Sequence, residues 1–67
     1  MNTRSTLYGV VEALLNEQGT SFDVLAPDML EDGNSYEDIT YAIRERTSVP
    51  ISSRTVRRWA ERLGDAA

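Results

Sequence analysis

Arg54, Arg57 and Arg58 carry the most pointed chemistry in this chain of 67 residues. At i, i+3 and i+4 on a helix, three guanidiniums project together from its first two turns. A guanidinium is a planar fork of donors, which grips a phosphate bidentately and matches O6 and N7 of guanine. Ser52, Ser53 and Thr55 adjoin them, with hydroxyls of the kind that contact phosphate oxygens. Arg44 and Arg46 end the preceding segment, where they would hold a nucleic-acid backbone, with Tyr41 exposed beside them. Acid–base and nucleophilic chemistry has less to draw on, because the chain has no histidine, cysteine or lysine. Its paired acids, Glu31 with Asp32 and Glu37 with Asp38, answer to capping and helix-dipole preferences. Neither a glycine-rich phosphate loop nor a metal-ligand spacing is present. The sequence points away from an enzyme and implies no cofactor, metal or small-molecule ligand.

Two short helical patterns must position these groups. In the second, Ser52 or Ser53 is the N-cap, Val56, Trp59, Ala60 and Leu63 form one apolar face, and the arginines lie off it. Gly64 stands where a glycine would end that helix. Trp59 reads as core, with its indole N–H finding a partner at the edge. The first pattern opens at Ser35 with Asp38 at the third helical position, an S-x-x-D form of the capping box. Ile39, Ala42 and Ile43 make its inward stripe, and Tyr36 covers the edge. Between the two, Arg46 to Ile51 holds no glycine but has Pro50, which restrains Val49 to an extended conformation. A competing account of the charges exists for four of the arginines: Arg62 solvated beside Glu61 or Asp65, Arg58 satisfied by Glu61 at i+3, and Arg44 and Arg46 flanking Glu45 in water.

The N-terminal half supplies support. Residues 4–18 predict a helix capped by Thr3 or Ser5, with Leu7, Val10, Val11, Leu14 and Leu15 as its stripe and Gly19 after its end. That stripe reads as intramolecular core, with a dimer surface as the alternative. Gly9, costly inside a helix, marks a close helix contact. Residues 22–32 predict a second helix, with Phe22, Leu25, Ala26, Met29 and Leu30 at helical spacing and Ser21 or Thr20 as cap. Pro27 interrupts it, so the segment is one kinked helix or a turn followed by a helix with Pro27 at N1, the first being preferred. Asp32, Gly33 and Asn34 form a turn. No stretch alternates long enough for a sheet. The expected fold is all-α, a compact domain of three to four helices over residues 1–67.

The formal net charge is −4, which repels a polyanion at long range. Distribution offsets this: every charged residue from Glu12 to Asp32 is acidic, while Tyr36 to Leu63 holds six arginines against four carboxylates, a net +2. A dipolar domain can present its basic end to DNA. The all-arginine basic set has a bland source in a GC-rich coding sequence. Neither a membrane span nor a secretory leader is evident, so a soluble protein of a prokaryotic or host cytoplasm, associated with the nucleoid, is expected.

The run SYEDI followed by SSRTVRRW resembles the small helix-turn-helix, homeodomain-like DNA-binding proteins of phages, mobile elements and prokaryotic regulators. The likeness covers residues 35–63. It implies that the helix over residues 53–63 enters the major groove of double-stranded DNA, that Ser52, Ser53, Arg54, Thr55, Arg57, Arg58, Arg44 and Arg46 make the contacts, and that the protein regulates transcription as a repressor or control protein. Terminase small-subunit-like and excisionase-like DNA recognition belong to the same class, and a homodimer reading two half-sites is a common arrangement. One departure stands out: Val56 follows Ile43 with a connection about six residues longer than in the compact motif. No room for a wing follows the last helix. An acidic helical module that binds or inhibits another protein through residues 12–32 is the reading from a different class.

Overall fold

Residues 3–66 are described by the computed structural model, with side chains from 6 to 63. Four helices and no strand occur among them: α1 Thr3–Glu17, α2 Phe22–Glu31, α3 Tyr36–Thr47 and α4 Ser53–Ala66. The predicted caps Thr3 and Ser5 lie outside the described side chains. Contacts join α3 to both α1 and α4, and α2 packs on all three. The result is a compact all-α unit of 32 × 25 × 21 Å.

Two of the three connections are set by glycine. After α1, Gly19 takes φ +81°, its N–H donating to the Asn16 carbonyl at 3.0 Å while Thr20 donates to Leu15 at 3.1 Å. Gly33 repeats this after α2 at φ +91°, with Gly33 to Leu30 at 3.0 Å and Asn34 to Met29 at 2.9 Å. Each pair is a Schellman closure, which satisfies carbonyls that a helix end leaves orphaned. After α3 no glycine is available, and Ser48 itself adopts the left-handed conformation, φ 60° and ψ 20°, donating to the Arg44 carbonyl at 2.8 Å.

α2 is one continuous helix with Pro27 inside it. The proline has no N–H for the Asp23 carbonyl. It sits on the exposed side of the helix, where water can serve that carbonyl, while Phe22 and Ala26 hold the opposite side in the core. The start of α2 departs from expectation. Ser21 occupies the cap position but makes no side-chain cap bond. A carboxylate from α1 replaces it: the Phe22 N–H donates to Glu12 Oε1 at 2.6 Å. A charged acceptor at a positive helix end makes a stronger bond than a hydroxyl.

The core comprises Val11, Leu15, Phe22, Ala26, Ile39, Ile43, Ile51, Val56 and Trp59. The predicted α1 stripe is rotated from this. Val10 is 47% exposed, and Tyr8 turns inward instead. Its ring meets Trp59 edge-on at 5.0 Å and Phe22 at 6.0 Å, and Phe22 meets Trp59 at 5.6 Å, so α1, α2 and α4 are joined by one aromatic trio. Such T-shaped pairs contribute about 0.5–1.5 kcal/mol beyond their buried area. The Tyr8 hydroxyl donates to Asp23 Oδ1 at 3.1 Å. Burial first, then that bond and the charges of Glu12 and Asp23, hold its pKa well above the ordinary phenol value.

Three further expectations are corrected. Trp59 is core, 3% exposed, but its indole N–H has no hydrogen-bond partner among the described residues. Gly9 marks no close contact: a methyl there would meet nothing within 4 Å. Nor does Gly64 end the last helix, which runs through it to Ala66. A glycine inside a helix costs about 1 kcal/mol but does not by itself reverse the chain.

Candidate nucleic-acid interface

The α3 and α4 pair that carries the arginines is locked by short-range bonds at each end. Ser35 Oγ accepts the Asp38 N–H at 3.2 Å, and Asp38 Oδ2 accepts the Ser35 N–H at 3.0 Å, the reciprocal capping box that the sequence predicts. Inside α3, the hydroxyls of Thr40 and Thr47 donate to the Tyr36 and Ile43 carbonyls, both at 2.7 Å, so two buried polar side chains are satisfied. Thr47 Oγ1 also accepts from the Val49 N–H at 3.2 Å, and Ile51 donates to the Val49 carbonyl across Pro50 at 2.9 Å. This tight path drives Ile51 into the core at 3% exposure and delivers the chain to Ser52.

Of the two candidate caps for α4, Ser52 is the one used. Its Oγ accepts the Thr55 N–H at 3.3 Å and lies 3.1 Å from Thr55 Oγ1. Two of the three hydroxyls singled out for phosphate contact, those of Ser52 and Thr55, are therefore engaged with each other. Ser53 is the first residue of the helix and is half-buried.

On α4 the inner face is Val56 and Trp59, with Ala60 and Leu63 packed against the core. Arg54, Arg57, Arg58 and Arg62 are all exposed on the remaining surface. Neither Arg54 nor Arg58 makes an ion pair among the described residues. Arg57 does: its Nε donates to Glu61 Oε2 at 3.2 Å. Glu61 thus serves Arg57 at i+4, where the sequence had offered it to Arg58 at i+3. At i+4 the two side chains lie in the same row of the helix surface.

Two shallow depressions border the start of α4. Arg54, Arg57 and Ser53 line one, facing Ser35, Tyr36 and Glu37. Arg44, Ser52 and Ser53 line the other, with Glu37, Thr40 and Tyr41. The structure thereby gathers Arg44, Ser52, Ser53, Arg54 and Arg57 around Glu37, a carboxylate that sequence reasoning assigned only to helix capping. What could have revealed it is the row Glu37, Thr40, Tyr41, Arg44 at i, i+3, i+4 and i+7 along one side of α3. Arg46 and Arg58 line neither depression. Arg46 lies on another side of α3, where its carbonyl accepts from Nε2 of Gln18, the residue after α1, at 2.6 Å. Tyr41 is 67% exposed, and a hydrogen bond to Glu45, with the charge of that carboxylate, raises its pKa.

The electrostatics of α4 run against its own backbone. Its first turn holds no acid and its last turn no base, while Arg54 sits at the second helical position, beside the positive end of the helix dipole. Among the described residues no group of acids could hold a metal ion, and no helix is long and apolar enough to cross a membrane. No family model, curated protein or solved structure matches the chain.

Proposed function

We propose that this chain binds double-stranded DNA in a sequence-specific way, with α4 in the major groove, and acts as a small transcriptional regulator that works by occupancy. The observation that carries this reading is the outer face of α4. Three exposed guanidiniums occupy its first two turns, opposite Val56 and Trp59, and one of them, Arg54, lies in the first turn, where cations are least favoured by the backbone. A fold has no use for such an arrangement, whereas a groove lined by phosphates and guanine edges does. Arg58 takes the outermost contact, Arg54, Arg57 and Ser53 lie along the α3 side, and Arg44 approaches a flanking phosphate. With Ser52 serving as cap, a phosphate contact from it requires exchange with Thr55. Terminase-like and excisionase-like recognition use the same surface. A second copy reading a second half-site would complete a palindrome.

The acidic-module reading keeps one specific support. On α2, Val24 and Leu30 are 53% and 38% exposed among Asp23, Asp28 and Glu31, which is an apolar and acidic surface fit for a basic protein partner. Selection of bound duplexes from a random pool, followed by titration of the winner over a salt series, separates the two. DNA binding yields an enriched motif and an affinity that falls linearly with salt on a log–log plot. No enrichment, and no binding at low salt, sinks it. Arg57→Ala with Arg58→Ala should then abolish DNA activity, while charge reversal at Asp28, Glu31 and Asp32 should leave it standing.

A further inference from the structure

Glu61 has no part in those DNA contacts. An acid on the outer face of a DNA-contacting helix opposes the phosphates, so its presence needs a reason. Helix stability is a poor one. Arg57 precedes Glu61, and that order is the less favourable of the two for an i, i+4 pair. Both side chains are also exposed, 65% for Arg57 and 58% for Glu61, and such pairs contribute little to folding.

The geometry of the bond supplies a better reason. The Nε of Arg57 donates to Glu61 Oε2 at 3.2 Å. That contact uses one edge of the guanidinium and leaves the two Nη groups, which have no partner among the described residues. We propose that Glu61 is a positioning residue for Arg57: it holds the guanidinium by Nε so that the Nη pair donates together to O6 and N7 of one guanine. This rests on the DNA reading of the same face. A long side chain held in one orientation loses less freedom on binding. The paired carboxylate also makes Arg57 a poor phosphate ligand, because the pair has no net charge. Arg54 and Arg58, without such a partner, remain free to neutralise phosphates. One arginine of the three is thereby committed to sequence and two to affinity.

The test uses the duplex selected from the random pool, with each base pair replaced in turn, against wild type, Glu61→Gln, Arg57→Ala and the double variant. Glu61→Gln is near-isosteric and exposed, and matching thermal melts establish that it is folded. The expected result is that Glu61→Gln and Arg57→Ala each lose about tenfold of guanine preference at the same single base pair, and that the double variant loses no more. Glu61→Gln should also bind random DNA more tightly and steepen its salt slope by about 0.9, as a freed Arg57 takes a phosphate. An unchanged preference profile in Glu61→Gln overturns the assignment while leaving DNA binding intact. So does a loss at a different base pair from Arg57→Ala. A wild-type chain that selects no motif overturns both.

Discussion

α3 and α4 are adjacent helices of similar length in one chain, yet only α3 obeys the rules of helix electrostatics. It opens with a reciprocal capping box and two acids in its first turn, Glu37 and Asp38, and it closes with Arg44 and Arg46 in its last. α4 opens with a serine cap and no acid, and it places Arg54 in the first turn, where the dipole is positive, with Arg57 and Arg58 in the turn that follows. The charges of α3 are accounted for by folding, so they say little about function. Those of α4 are not, and the excess is what a binding surface has to explain. The same contrast lowers the weight of Arg44 and Arg46 as contact residues. Arg44 keeps some by its place beside Ser52 and Ser53, whereas Arg46 has only the helix end.

The sharpest way to break this comparison is to remove the unpaired arginines. Arg54→Ala with Arg58→Ala should cost about a hundredfold or more in affinity for the selected duplex, as two phosphate contacts are lost. Thermal stability should hold or rise slightly, because unfavourable charge leaves the start of α4. A fall in melting temperature together with unchanged affinity would reverse the roles assigned to the two helices.

Ser35→Ala or Asp38→Ala makes the mirror-image experiment on α3. Each should cost about 1 kcal/mol, or roughly 4–8 °C in a domain of this size, with affinity unchanged at temperatures where the chain is folded. Calorimetry beside a binding titration reads both quantities.

The inner face that α4 buries against α1 and α2 can be probed through Tyr8. Its folded pKa is raised above the unfolded value, so its contribution is complete below the ordinary phenol value of about 10 and is lost progressively as pH rises beyond that toward the higher folded value. Urea unfolding followed by Trp59 fluorescence should show stability falling on the alkaline side. Tyr8→Phe should flatten that fall, and an equally steep fall in the variant would move the titration elsewhere.

Smaller effects sharpen the boundary between the two helices. Ser48→Gly should stabilise by about 0.5–1 kcal/mol, since glycine takes the left-handed conformation without the steric penalty that serine bears. Arg44→Ala should cost about 0.3 kcal/mol in stability as the last turn of α3 loses a cation, with a loss in DNA affinity of about threefold or less. A tenfold loss there would place Arg44 with the arginines of α4.

Much of the local architecture is legible in the amino-acid sequence alone. The Ser35 box, the Gly19 and Gly33 closures, the continuous α2 and the opposition of the α4 arginines to Val56 and Trp59 all depend on residues within a few positions of one another. Helical hydrogen bonds span four residues and faces repeat every 3.6, so such features are written into spacing. The candidate site is legible to the same extent, as an arginine face and a serine cap. Its finer pairing is less so, because Glu61 lies within reach of both Arg57 and Arg58, and side-chain direction decides between them.

Tertiary structure decided the rest. Glu12 caps α2 in place of Ser21, Tyr8 rather than Val10 joins Phe22 and Trp59, and Ile51 enters the core from what reads as a connection. Glu37 likewise lines one depression with Ser53 and Arg54 only because α3 and α4 pack together. Each of these joins residues on different elements, and their distance and angle are set by how the helices pack. Periodicity within one helix carries no information about which neighbour will supply a carboxylate, or how far a stripe rotates to fill the core it shares.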